Sequence, residues 1–439
     1  MKRILVILPN LDLGGMETVV MNYFRNLDRS KIVFDFVVHG EPGFFEEEAR
    51  ALGARIFRVP TRSQGFFENI SAMRRIYAAG SIASEDAYFS TRVVADGRSR
   101  VSEEKYDIVI VCTEHAFAFI ELFVAWTSGV KTRAAWSHFS DYQGASRLKR
   151  RAHFFARPLM CFYANLCLAC TKDAGVWLFG KKFAKNLQNP AFHIINNAID
   201  LEIFSRQACG GTREHNERSE RFPRHRGRVS EATRALEGCG REASPLAGDG
   251  FEPREKIRAA HGLTNDEIAV GIAGRLTAVK NHAFALEIFK ELLASGAGKN
   301  AALFIIGDGE LREEIETQSR NLGITNRVIF TGALGNIHEY YQALDVLILP
   351  SHHEGLPVVA IEAQASGLPV ILSDKLTRDV QISDLAHYES LNAGATAWAE
   401  KILALASRER TERTTPDLSE SGFDITREAA KLQKILLEL

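Results

Sequence analysis

At 439 residues with 46% hydrophobic content, the chain has material for more than one core, since single cores stop growing at roughly 250–300 residues. Its 54 basic residues against 55 acidic ones exclude the large basic excess of a nucleic-acid binder, so no nucleic-acid partner is expected. Six cysteines in so long a chain do not form the dense framework of a small secreted domain, and a reducing cytosolic setting fits them better.

Read in order, the chain opens with Met1-Lys-Arg-Ile-Leu-Val-Ile-Leu-Pro9, whose apolar run is too short for a secretory segment and is expected to be a first strand over 4–8. A helix from about 16, a strand over 33–38, a helix from 45 and a strand over 55–59 follow. After Tyr106 come strand 108–112, helix 116–127, strand 132–137, a helix from 145, strand 166–171, helix 172–179 and strand 193–196. The apolar stretch 109–126 is interrupted by Glu114, His115 and Glu121, which excludes it as a membrane span. Cys167 and Cys170 form a CxxC, but no second pair follows at zinc-site spacing, and the apolar surroundings read as buried strand.

Between 205 and 253 the composition turns to Arg, Glu and Gly with almost no periodic apolar residues, which predicts a disordered insertion. The stretch 84–103 reads the same way. Alternation then resumes with strands 269–272, 302–306, 328–331, 346–349 and 370–373, separated by helices 283–293, 311–322, 337–343 and 357–365. The pattern predicts an α/β protein of two doubly wound, Rossmann-like domains in tandem, facing across a cleft that holds the ligand. The expected division is 1–197, a hinge and insertion over 198–254, a second domain over 255–410, and a terminal linker and helix over 411–439 that packs back on the first domain.

The chemistry concentrates in Leu349-Pro-Ser-His-His-Glu-Gly-Leu-Pro-Val-Val-Ala-Ile-Glu362, read as strand, loop and helix. Pro357 suits a first helical turn, where its missing N–H costs nothing, so Glu354 ends the loop and Glu362 lies on the helix. Free N–H groups around Gly355 to Val358 then form an anion site. Gly274-Arg275-Leu-Thr-Ala-Val-Lys280-Asn281 supplies two cations, and with the helix start they make a cradle for a diphosphate. Asp12-Leu-Gly-Gly-Met-Glu17 places Gly14 and Gly15 between the first strand and helix, where a backbone can approach a ligand closely, although a plain tight turn explains them equally. The GxGxxG dinucleotide fingerprint is missing there.

At Gly14-Gly15, Ala135-Trp-Ser-His138, Asn196-Asn-Ala-Ile-Asp200, Gly274-Arg275 with Lys280-Asn281, Gly307-Asp-Gly-Glu310, Asp345 to Ser351 and the pair Glu354 to Glu362, the chain resembles glycosyltransferase family 4, and more narrowly the bacterial enzymes of capsular and exopolysaccharide synthesis. The resemblance covers both halves. It implies a GT-B fold and a retaining, metal-independent transfer of a sugar from a nucleotide-sugar donor, UDP-linked, to a glycan or lipid-linked acceptor, with no cofactor. On this resemblance the catalytic residues are His138, Arg275, Lys280 and Glu354, and the donor-binding residues are Gly14, Gly15, Gly309, Glu354, Gly355, Leu356, Pro357 and Glu362. Arg275 and Lys280 would stabilise the leaving diphosphate, Glu362 would bind the ribose, Glu354 would contact the transferred sugar, and His138 would lie near the reacting sugar. Two departures stand out: Ala198 replaces the family's glycine after the hinge asparagine, and the 205–253 insertion is foreign to the pattern.

The stretch 146–157 puts Arg147, Arg150, Arg151 and Arg157 on one helical face and Leu148 and Phe155, with Leu159 beyond, on another, while Pro158 threatens the helix's continuity. Two readings stay open: a basic amphipathic helix on an anionic membrane, making the enzyme cytoplasmic and peripheral on the inner face, or a helix packed on the domain core. Against transfer itself stand a nucleotide-sugar epimerase of the same fold and a non-catalytic nucleotide-sugar-binding scaffold.

Overall fold

The computed structural model describes residues 1–79, 105–139, 146–181, 191–205, 253–407 and 416–439. The stretch 84–103 and all of the expected insertion except Ser205 and Pro253 lie outside them. Two compact units emerge: unit 1 is Met1–Ala198 with Ile425–Leu439, and unit 2 is Ile199–Asp424.

Unit 1 runs β1 (Lys2–Ile7), α1 (Gly15–Asn26), β2 (Ile32–Val38), α2 (Glu46–Ala51), β3 (Ile56–Arg58), α3 (Phe66–Ala79), β4 (Ile108–Thr113), α4 (Phe119–Thr127), β5 (Thr132–Ser137), α5 (Arg147–Tyr163), β6 (Leu166–Ala169), α6 (Lys172–Phe179) and β7 (Phe192–Ile194). Its sheet has the order β3-β2-β1-β4-β5-β6-β7, every pairing parallel. Parallel strands covered on both faces need continuous apolar runs, and all seven residues of Ile32–Val38 are buried. One of them is Asp35, which accepts from Arg3 Nη2 at 2.7 Å, Arg55 Nη2 at 2.8 Å and Tyr106 Oη at 2.7 Å. Burial alone would raise the Asp35 carboxyl, and the hydrogen bonds from Arg3 and Arg55 reverse this and hold it below the usual range. One buried anion thereby ties the starts of three strands to β2.

Unit 2 contains α7 (Leu201–Phe204), α8 (Pro253–Ala260), β8 (Ala269–Ala273), α9 (His282–Ala294), β9 (Ala302–Ile306), α10 (Arg312–Asn321), β10 (Val328–Gly332), α11 (Ile337–Ala343), β11 (Val346–Leu349), α12 (Val358–Ala365), β12 (Val370–Ser373), β13 (Ala386–Glu389) and α13 (Gly394–Ala406). Its parallel sheet has the order β10-β9-β8-β11-β12-β13. A core of Ile272, Leu286, Phe289, Leu303, Ile305, Ile348 and Trp398 fills one face. Asp345 repeats the device of Asp35, accepting from Arg254 at 3.1 Å, Arg258 at 3.3 Å and the Ala269 N–H at 2.8 Å.

The chain finally returns to unit 1 as α14 (Ile425–Glu438). The Asn196 N–H donates to Glu428 Oε2 at 3.0 Å, the Asp28 N–H to Gln433 Oε1 at 2.8 Å, and Lys2 Nζ to the carbonyls of Leu436 and Leu437. No helix among the described residues is long and apolar enough to cross a membrane.

Candidate active site

In each sheet the strand order reverses once, between β1 and β4 and between β8 and β11, and ligands of doubly wound sheets bind beyond the carboxyl ends of the strands at such points. In unit 2 the loops that follow β8, β9 and β11 hold most of the candidate residues.

The β8 loop depends on close backbone contact. Gly274 has φ +140°, and a Cβ on it would meet the Lys280 Cε at 3.1 Å, so the missing side chain lets the lysine stem pass. Gly307, at φ +135°, brings its backbone against the Gly274 carbonyl, which an added Cβ would meet at 2.1 Å. Gly309 lies as tightly on Leu276, whose N–H donates to the Asp308 carbonyl at 3.0 Å. Gly309 thus shapes the platform that carries Arg275. That arginine is 68% exposed by side chain, with a loose approach of 3.8 Å to Glu310.

Lys280 is stitched to the β11 loop. Its Nζ lies 2.5 Å from Glu354 Oε2, and the buried Ser351 hydroxyl donates to Glu354 Oε1 at 2.7 Å. The His352 N–H donates to the Val279 carbonyl, and Asn281, in the left-handed region at φ 59°, donates from Nδ2 to the Pro350 carbonyl at 3.0 Å. Asparagine tolerates that backbone region better than most residues, which fits its place between Lys280 and α9. Lys280 and Glu354 are therefore one preassembled ion pair, mostly removed from water.

Pro357 corrects the expected helix start. It sits at the N-cap with extended backbone (φ −71°, ψ 95°), and α12 begins at Val358. A cap residue lends its carbonyl to the first helical bond without adopting helical ψ, and the Ala360 N–H donates to Pro357 O at 3.0 Å. Gly355 and the buried Leu356 precede it. Glu362 lies inside α12, buried, and accepts from the Tyr341 hydroxyl at 2.9 Å. Burial pushes its carboxyl up to about 7, and the Tyr341 bond moderates the rise.

In unit 1, Gly14 is the N-cap of α1 and Gly15 its first residue. A Cβ on Gly14 would meet Glu17 Oε2 at 2.2 Å, so the Glu17 carboxylate folds back over the helix start, whereas Gly15 faces open space. His138 follows β5 and is 3% exposed. Its Nδ1 lies 3.3 Å from Asn197 Oδ1, which accepts, so Nδ1 carries the proton and Nε2 keeps its lone pair. Nε2 has no partner among the described residues, and burial, only partly offset by Asn197, lowers the ring to about 4. His138 is a neutral acceptor at physiological pH. The sequence reading gave no site role to Ser351, Tyr341 or Asn197. Ser351 and Asn197 stood inside segments it singled out, whereas nothing in the helical pattern of 337–343 distinguishes Tyr341.

Comparison with known proteins places this chain in a family. Residues 253–416 match the model described as glycosyl transferases group 1. The chain is 31% identical over 440 residues to the Bacillus subtilis (strain 168) protein EpsF, a glycosyltransferase by its name, covering 99% of this chain and 96% of the relative. A second relative, the Escherichia coli UDP-Gal:alpha-D-GlcNAc-diphosphoundecaprenol alpha-1,3-galactosyltransferase, is 26% identical over 196 residues, 42% of this chain and 49% of the relative. Among solved structures, Anabaena HepE in complex with UDP-glucose aligns over 100% of both chains with a TM-score of 0.66 at 15% identity, which supports a GT-B fold of two Rossmann-like domains. With full-length similarity to EpsF and a matching domain over the residues that carry Arg275, Lys280, Glu354 and Glu362, the chain belongs to the group 1 glycosyl transferases, enzymes of polysaccharide synthesis among them.

Proposed function

We propose that this glycosyltransferase is a retaining, metal-independent hexosyltransferase of family 4 that moves a sugar from a UDP-linked donor to a glycan or lipid-linked acceptor in capsular or exopolysaccharide synthesis. The observation that carries the reading is the preassembled Lys280–Glu354 pair with the exposed Arg275 one loop away, beside the start of α12. Breaking the bond between the anomeric carbon and the phosphate oxygen leaves negative charge on the nucleoside diphosphate. Fixed cations and N–H dipoles stabilise that charge most effectively when they are already in position.

In this reading the acceptor hydroxyl attacks from the face that the diphosphate leaves. Its oxygen forms the new glycosidic bond while its proton passes to a phosphate oxygen of the leaving group. Lys280 exchanges Glu354 for phosphate when donor binds, which frees one Glu354 oxygen to accept from a sugar hydroxyl while Ser351 holds the other. Glu362 accepts from the ribose, and His138 accepts from a hydroxyl of the transferred sugar through Nε2. The UDP-glucose bound by HepE and the UDP-galactose and diphosphoundecaprenol in the name of the Escherichia coli relative support the choice of donor and acceptor class.

A thermal-shift screen of nucleotides and nucleotide sugars tests the donor, because a bound ligand raises the melting temperature with concentration over affinity. A UDP-sugar is expected to give the largest shift, and Arg275→Ala to lower turnover. If no nucleotide shifts melting and Arg275→Ala leaves turnover unchanged, the reading fails.

A further inference from the structure

The structure decides what α5 buries. His153, Ala156 and Met160 are its buried residues, and the larger apolar side chains point elsewhere. Leu148, Phe155, Leu159 and Phe162 fall within about 60° of one another at 100° per residue. Three of them are among the most exposed large apolar side chains of the described residues, at 76% for Leu148, 83% for Phe155 and 72% for Phe162. The half-exposed Trp126 at the end of α4 extends the ridge, its ring centroid 5.8 Å from that of Tyr163. Pro158 does not break the helix. It is exposed, so water can satisfy the Phe154 carbonyl that loses its N–H partner.

Scattered exposed apolar residues need no explanation, but a continuous apolar ridge with a polar border marks a contact surface. Arg147 and Arg151, both exposed, line one flank of this ridge. Arg157 does not join them, because its guanidinium donates to the Val176 carbonyl and lies over the Phe154 ring. No residue of α5 is acidic. A two-fold contact through α5 would therefore bring basic flanks together with nothing on the helix to neutralise them, whereas an anionic lipid surface complements both ridge and flank.

We propose that this face of unit 1 lies in the interface of an anionic bilayer, with Leu148, Phe155, Leu159 and Phe162 among the upper acyl chains, Trp126 at headgroup level and Arg147 and Arg151 on lipid phosphates. The inference is independent of the transfer reaction. It depends only on the shape and charge of α4 and α5.

Co-sedimentation of the full-length protein with vesicles of phosphatidylglycerol and phosphatidylethanolamine, or of phosphatidylcholine alone, tests it, together with quenching of tryptophan emission by brominated acyl chains. Trp136 and Trp398 are fully buried, Trp177 is half-buried against His153 and Phe154, and Trp126→Phe tells Trp126 from Trp177 as the quenched residue. Binding is expected only with phosphatidylglycerol, with quenching that Trp126→Phe removes. Phe155→Ser with Phe162→Ser, and Arg147→Glu with Arg151→Glu, should each lower partitioning by about tenfold or more at unchanged melting temperature. Four outcomes overturn the proposal: the wild type stays in solution, bound protein shows no quenching, the serine pair partitions like wild type, or the ridge instead closes a dimer that the serine pair splits. In none of these does donor binding to unit 2 change, so the transfer reading is tested separately.

Discussion

The carboxyl edges of the two sheets follow different electrostatic designs. In unit 2, Lys280, Glu354 and Ser351 are joined by short bonds, so charge is present and held in place before any ligand arrives. In unit 1, the candidate after β5 is a neutral imidazole, its Nε2 unpaired among the described residues and its charged form suppressed by burial. The first arrangement suits stabilisation of a leaving anion. The second suits acceptance of a hydroxyl proton in a hydrogen bond without taking it. The same topology thus supports one edge that opposes charge and one that avoids it.

The sharpest way to separate the units is to cut the buried anchor of each. Asp35→Asn leaves Arg3 and Arg55 without their carboxylate and is expected to cost about 3–5 kcal/mol, lowering a calorimetric transition assigned to unit 1. Asp345→Asn should lower the other transition instead. A single transition that moves equally in both variants would show that the units do not unfold separately.

Next in size, Lys280→Ala should reduce kcat by about 10²–10³-fold, the range for removing one preorganised group that stabilises transition-state charge. His138→Ala tests the neutral edge. A reduction in kcat of about tenfold to a hundredfold is expected, with nucleotide-induced thermal shift unchanged because the cations proposed to hold the donor belong to unit 2. An equal loss of nucleotide binding in both variants would erase the division of labour.

The smallest effect concerns pH. The folded-state carboxyl of Glu362 titrates near 7, above its unfolded value, so the native state holds a proton that the unfolded chain has already released. Glu362 therefore takes stability away as pH rises from about 4.5 to 7, and the loss is complete above that. Glu362→Gln should flatten the melting temperature between pH 5 and 8 by a few degrees. Donor KM in the wild type should fall over the rise to 7, as the carboxylate able to accept ribose hydroxyls forms. A pH profile unchanged by the substitution would place the titration elsewhere.

Much of this architecture is legible in the sequence because parallel strands announce themselves. Runs such as 132–137, 302–306 and 346–349 are bounded as expected, since strands buried on both faces tolerate few polar residues. The strand Ala386–Glu389 was missed for the converse reason. It is an edge strand whose His387, Tyr388 and Glu389 are only half-buried, and it carries no apolar run. The charged part of the site was visible as residue types at fixed spacing. Asn197 and Tyr341 act through contacts closed by the tertiary fold, at distances of 59 and 21 residues, which no local pattern encodes. On α5 the arginines were legible as a group, but only packing could show that Arg157 turns inward and the phenylalanines outward.

The return of α14 has a consequence for biosynthesis. Unit 2 is encoded between two parts of unit 1, so the ribosome completes unit 2 before unit 1 receives its last helix. Until then the Asn196 and Asp28 amides and the Lys2 ammonium lack the partners that α14 brings. Vectorial synthesis thus makes the first unit to begin the last to be finished, and completes the loops of Lys280 and Glu354 in unit 2 ahead of it.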